Sequence, residues 1–119
     1  MTVQEFYLEI KGNYEEIIGR MRDDARVKKF VFMFLRDETD NRLWETMDAG
    51  NYEEAFRHAH TLQGLCQNLA FSDLSEPVHE LTECLRGGTC DDRALTYFAQ
   101  VKEKFELVKK AIEELQNDK

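Results

Sequence analysis

The sequence predicts an all-α protein, an up-and-down four-helix bundle with additional short N-terminal helices. Apolar residues recur at steps of three and four along nearly every segment, and none sustains the period-two alternation of a strand. One proline and six glycines among 119 residues are too few breakers for a loop-rich fold. The longest stretch, from about Asp91 to Gln116, repeats Leu95, Phe98, Val101, Phe105, Val108, Ile112 and Leu115. That pattern is a seam packed against other helices.

The elements follow in order. Residues 3–10 form a short apolar segment ending at Gly12. Asn13 can cap "YEEIIGRM", where Tyr14, Ile17, Ile18 and Met21 share helical spacing. Asp23 or Asp24 starts "ARVKKFVFMFLRD", with Val27, Phe30, Val31, Phe34 and Leu35 on one stripe and Phe32 and Met33 extending it. "ETDNRLWETMDAG" turns Leu43, Trp44 and Met47 inward and stops at Gly50, a favourable residue after a helix end. Asn51 caps the fifth helix, Glu53 and Glu54 suit the positive end of its dipole, and it runs to about Phe71. Ser72 or Asp73 caps the sixth, with Asp73 and Glu76 at capping-box spacing and Pro77 near the first turn. It ends at "RGG", residues 86–88, before the long seventh helix. Short turns make consecutive helices antiparallel neighbours, and the early short segments cap one end or cover a side.

The length fits a single domain, 1–119, with a core bundle at about 38–117. Hydrophobic residues at 42% supply one core, which argues against disorder. A net charge of −8 disfavours nucleic acid and acidic membranes. No apolar run approaches the roughly 18 residues of a membrane span. The opening "MTVQEFYLEI" has no basic cluster before an apolar run and does not read as a secretory signal. Cys66, Cys84 and Cys90 are odd in number and lack CxxC spacing, so free thiols in a cytoplasmic protein are the simplest expectation.

"HAHTLQGLCQNLAF", residues 58–71, carries the chemistry. At about 100° per residue from His60, the small and apolar residues Ala55, Ala59, Leu62, Cys66 and Leu69 cluster at roughly 180–260°. His60 therefore faces outward. Glu53, Phe56, Arg57, Gln63, Gly64, Gln67 and Phe71 share its stripe. Gly64 lies one turn on, where glycine costs a helix about 1 kcal/mol relative to alanine. A local rule broken without a cap points to a need for space, leaving the imidazole open on that flank. Gln63 and Gln67 can donate hydrogen bonds to an anion on the ring. A neutral imidazole has a nucleophilic lone pair near pH 7, and no serine or cysteine at helical spacing pairs with it. His60 itself is then the group that accepts.

The other histidines read as structural: His58 near the core boundary, and His79 a surface or inter-helix hydrogen-bonding residue on the next helix. His58 and His60 diverge by about 200° and cannot share a metal, and no pair has the four-residue spacing of a helical zinc site. No metal site is expected. Glu15–Glu16, Glu53–Glu54 and Glu113–Glu114 are adjacent pairs that diverge on a helix, as solvated faces do.

"AHTLQGLCQNLAF" resembles the core motif of histidine-containing phosphotransfer (HPt) domains, approximately A-H-x-L-K-G-x-x-x-N-L-G. Ala59, His60, Leu62, Gly64, Asn68 and Leu69 match. The resemblance extends through "FVFMFLRD" and "LWETMDAGNYEEAFRHAHTL" to "LSEPVHELTECLRGG". It implies a four-helix bundle that carries a phosphoryl group between response-regulator receiver domains, with His60 as phosphoacceptor. It implies no ATP binding and no kinase activity of its own. Mg²⁺ and an acidic pocket are expected on the receiver, and no cofactor on this chain. Gly64 would leave room for the receiver, Phe56 and Phe71 would form a docking patch, and Gln63, Gln67 and Arg57 would support the phosphoryl group. Receiver domains and a hybrid sensor kinase are the expected partners, and a monomer the expected state. Gln63 stands where the motif has lysine. A neutral hydrogen bond replaces a charged one there, which slows or weakens phosphorylation about tenfold. Arg57, within a turn of His60, is the candidate to compensate. Ala70 stands where glycine is common, a small-for-small change. The alternative reading is a degenerate binding module that docks a receiver or kinase without efficient transfer.

Overall fold

The computed structural model describes residues 1–117, and the last two positions of the 1–119 domain assignment lie outside the described residues. The described chain is helical throughout, with no strand: α1 (Val3–Glu9), α2 (Tyr14–Met21), α3 (Asp24–Arg36), α4 (Thr39–Asp48), α5 (Tyr52–Asn68), α6 (Ser72–Leu85) and α7 (Asp92–Asn117).

Side-chain caps set most of the starts. Thr2 and Glu5 form a reciprocal capping box on α1. Asn13 accepts the Glu16 N–H at 3.0 Å, and Asp23 accepts those of Ala25 and Arg26. Asn51 caps α5 through the Glu54 N–H, and Asp91 accepts the Ala94 N–H at 2.9 Å. Gly87 and Gly88, at φ +90° and +80°, break the chain after α6 in the left-handed region that glycine enters freely.

The junction of α5 and α6 departs from expectation. Helix α5 ends at Asn68, three residues before Phe71, because Ala70 adopts φ +57° and turns the chain. Helix α6 then starts at Ser72 with Phe71 at its N-cap and no side-chain cap, instead of a cap from Ser72 or Asp73. The change from glycine at position 70 is thus not a small one, because an L side chain in this region costs roughly 1–2 kcal/mol. Ala70→Gly should stabilise the fold by about 0.5–1 kcal/mol, once glycine's greater unfolded-state freedom is subtracted. Urea unfolding midpoints at constant slope would show it, and an unchanged midpoint would mean that the alanine bears no strain.

Helices α4 to α7 are joined by short turns, and each packs on the next. Trp44 on α4 closes the bundle against Phe98 and Phe105 of α7, ring centroids 5.6 and 5.7 Å away. Along α7 the buried seam runs Ala94, Phe98, Val101, Phe105, Val108, Ile112, Leu115, in alternating steps of four and three. Leu95 lies off that alternation and is 52% exposed, so the place expected for it belongs to Ala94. Pro77 sits in the second turn of α6, further in than expected. It cannot donate to the Asp73 carbonyl, so that oxygen lacks its helical partner. The Lys104 ammonium from α7 takes it up, 3.4 Å from the carbonyl and 3.0 Å from the Asp73 carboxylate.

The short N-terminal helices cap the bundle at the α5–α6 junction, as their length predicts. Phe71 packs among Phe6, Tyr7 and Phe34 at centroid distances of 6.1, 5.9 and 5.1 Å. The buried Tyr7 hydroxyl donates to the Leu69 carbonyl at 2.8 Å. Arg20 of α2 donates to the carbonyls of Gln67 and Asn68 at the end of α5, the first of which also accepts the Ala70 N–H at 3.1 Å. These bonds fix the carboxyl end of α5 and with it the face that α5 presents. No helix among the described residues is long and apolar enough to cross a membrane.

Candidate functional site

Helix α5 turns Ala55, Ala59, Leu62 and Cys66 into the core, each no more than 1% exposed. This is the face expected from the 100° wheel. Burial pushes the Cys66 thiol up to about 12, so it stays protonated and takes no part in surface chemistry. All three cysteines are free.

Opposite that face, His60 is exposed. Its ring tilts against Phe56, centroids 6.2 Å apart, and no hydrogen bond or ion pair among the described residues engages either nitrogen. One turn on, a Cβ added to Gly64 would meet no heavy atom within 4 Å. Nothing inside the described chain requires glycine there, so the helix bears a local cost that leaves the surface beside the imidazole open.

The remaining expected residues are partly assembled around His60. Phe56 is half-buried, with the Arg86 guanidinium 5.2 Å from its ring centre. Arg86 also grips Glu83 through two hydrogen bonds of 3.1 and 3.0 Å. That bond first, then the charges of Arg86, His79 and His60, hold the Glu83 carboxyl below the usual carboxylate range. Gln63 is tied across to α6, its amide nitrogen 2.7 Å from His79 Nδ1. His79 is thus the inter-helix hydrogen-bonding residue the sequence suggested, and it stands beside the site. Gln67 is exposed and lines an open cleft of about 600 Å³ with Arg20, Ser75, Glu76 and His79.

Two expected members are displaced. Phe71 is 1% exposed in the aromatic cluster, so it contributes packing and cannot form a docking patch. Arg57 pairs with Glu54 at 3.3 Å on the exposed surface, so the compensating charge expected from it is already engaged by a carboxylate. The apolar surface near Gly64 lies elsewhere. Leu65, Met21, Phe30 and Met33 line a groove of about 350 Å³ between α5 and the α2–α3 pair. Met33 also borders a hollow shared with Lys28, Lys29 and Arg36.

Arg86, Glu83 and His79 are neighbours of the site that the helical wheel of α5 alone does not reach. The signal that finds them is the symmetry of a helical hairpin. Folding α5 onto α6 about Phe71 brings together residues equally far from it, as Gln63 with His79 and Phe56 with Arg86. Among the described residues no group of three or more His, Cys, Asp or Glu is placed to hold a metal ion.

The family model described as Hpt domain matches residues 13–118. This chain belongs to the Hpt domain family. No curated protein and no solved structure matches it. Hpt domains serve histidine phosphotransfer in two-component systems, working with response-regulator receivers and kinases. The match takes in α2 to α7, the helices that carry and brace the exposed imidazole.

Proposed function

We propose that this Hpt domain is a phosphorelay intermediate, with His60 as the covalent carrier between receiver domains. The observation that carries the reading is an unengaged imidazole in a firmly braced helix, with open space one turn away. The lone pair of a neutral ring nitrogen attacks phosphorus. An N–P bond forms as the P–O bond to the receiver's aspartate breaks, and the aspartate leaves as carboxylate. The reverse sequence passes the phosphoryl group on. The receiver supplies Mg²⁺ and the acidic pocket. This chain supplies the nucleophile, the Phe56 surface beneath it and the groove at Leu65 and Met33 against which the receiver seats. The basic flank of Lys28, Lys29 and Arg36 complements an acidic partner.

The test is incubation with a phosphorylated receiver domain. An acid-labile, alkali-stable label on this protein is the expected result, and its absence with every competent receiver would refute the reading. The Gly64 backbone gives a second check with opposed signs. Gly64→Gln should stabilise the fold by roughly 0.5–1 kcal/mol through helix propensity. It should also slow transfer at least about tenfold by filling the approach, a change of about 1.4 kcal/mol in the barrier. Thermal unfolding and transfer rates measure the two; unimpaired transfer would mean that no partner uses that space.

A second reading rests on the amide at position 63. A docking module that regulates a receiver or kinase without carrying phosphate would show little label, and Gln63→Lys would raise it sharply from almost nothing.

A further inference from the structure

Among the described residues, the Gln63–His79 bond is the one polar link between α5 and α6 that lies beside His60 and contains a titratable group. Gln63 is three residues from His60 on α5, within reach of a group attached to that ring. An amide presents oxygen or nitrogen in nearly the same place, and which one faces His79 depends on the proton at Nδ1. With Nδ1 unprotonated, the Gln63 N–H donates to it, and the carbonyl oxygen is left toward solvent. That oxygen would repel phosphoryl oxygens. When the ring takes up a second proton, so that both nitrogens carry hydrogen, Nδ1 donates to the Gln63 carbonyl oxygen, and the amide turns. Both N–H groups are then free, and a positive charge stands behind them.

We propose that His79 is the positioning residue of the phosphoryl site, setting through its own proton whether Gln63 offers the group on His60 donors or an acceptor. This rests on the assignment of His60 as carrier. The step moves one proton between solvent and His79 and rotates one amide; no other bond is made or broken. Two consequences follow. Gln63 acts as a charge-assisted donor only while His79 is protonated, and phosphorylation is coupled to pH through a residue on the neighbouring helix. The charged groups around His79 come from three elements. Helix α5 provides His60. Helix α6 provides Glu76, Glu80 and Glu83, the last paired with Arg86. Helix α2 provides Glu16 and Arg20, which pair with each other one turn apart on that helix and line the same cleft as His79.

The experiment measures the equilibrium constant for phosphoryl exchange with a receiver domain between about pH 5.5 and 8.5, the window in which imidazoles titrate. Wild type is compared with His79→Gln, which keeps an amide but has no titratable proton, and with Gln63→Leu, which keeps the imidazole but has no relay. Effects common to all three, including titration of His60 and of the receiver, cancel in the ratios. The ratio of wild type to His79→Gln is expected to rise about three- to tenfold from the alkaline to the acidic end, the difference between a charged and a neutral hydrogen bond. Gln63→Leu should match His79→Gln in its pH profile. A flat ratio with His60 labelled overturns this inference alone, and a slope retained in Gln63→Leu overturns the relay. No label on His60 at any pH overturns both the inference and the function beneath it.

Discussion

His60→Gln is expected to abolish phosphoryl acceptance while leaving the fold intact. The imidazole is exposed and makes no hydrogen bond among the described residues, so its removal forfeits only a ring contact with Phe56. Surface changes of this kind stay within about 0.5 kcal/mol. The functional effect is of another order, because no other nucleophile occupies that position. Cys66 faces the core, with a thiol that burial keeps protonated. His58 is half-buried and lies round the helix from His60. His58→Gln should therefore keep the label, and denaturation curves of both variants should overlay that of the wild type. Label surviving in His60→Gln would place the chemistry on another residue.

Phe71→Ala carries the largest expected cost to stability, roughly 3–5 kcal/mol, the range for a fully buried phenylalanine. The ring lies at the meeting point of α1, α3 and the start of α6, touching Phe6, Tyr7 and Phe34. Phe34 in turn reaches Phe105 of α7 at 5.5 Å. Truncation opens a cavity where the N-terminal helices join the bundle, and neighbouring rings of fixed shape refill it poorly. Against a typical total of about 5–15 kcal/mol, that loss is a substantial part of the fold. A large fall in the urea midpoint is the expected result. A change below about 1 kcal/mol, with impaired receiver binding, would return Phe71 to the surface role its position in the motif suggested.

The contrast between His60 and Phe71 shows what is legible in the sequence. Within a helix, the 100° wheel places residues well: the core face of α5 and the outward turn of His60 follow from it. Helix α2 is legible to the residue because Asn13 supplies a cap whose side chain finds the Glu16 N–H. Carried past Asn68, the same wheel misplaces Phe71. On a continued helix that ring would fall near His60, but the left-handed turn at Ala70 ends the period. A glycine at that position would have announced the turn; an alanine conceals it. Leu95 is misplaced for a different reason. Hydrophobicity favours it, whereas the alternation of four and three along α7 selects its small neighbour Ala94. The partner of Arg57 is not legible, since Glu54 and the His60 face lie within a turn of it and the sequence does not rank them. The partnership of Gln63 with His79 needs the register of two helices, which depends on where the turn between them falls.

The function proposed here stands on the exposed imidazole of α5 as the bearer of the phosphoryl group. Its most direct measurement is peptide-level localisation of phosphate, kept at alkaline pH, after transfer from a phosphorylated receiver domain. The expected result is phosphate on a ring nitrogen of His60. Phosphate found on His58, His79 or a carboxylate instead would contradict it.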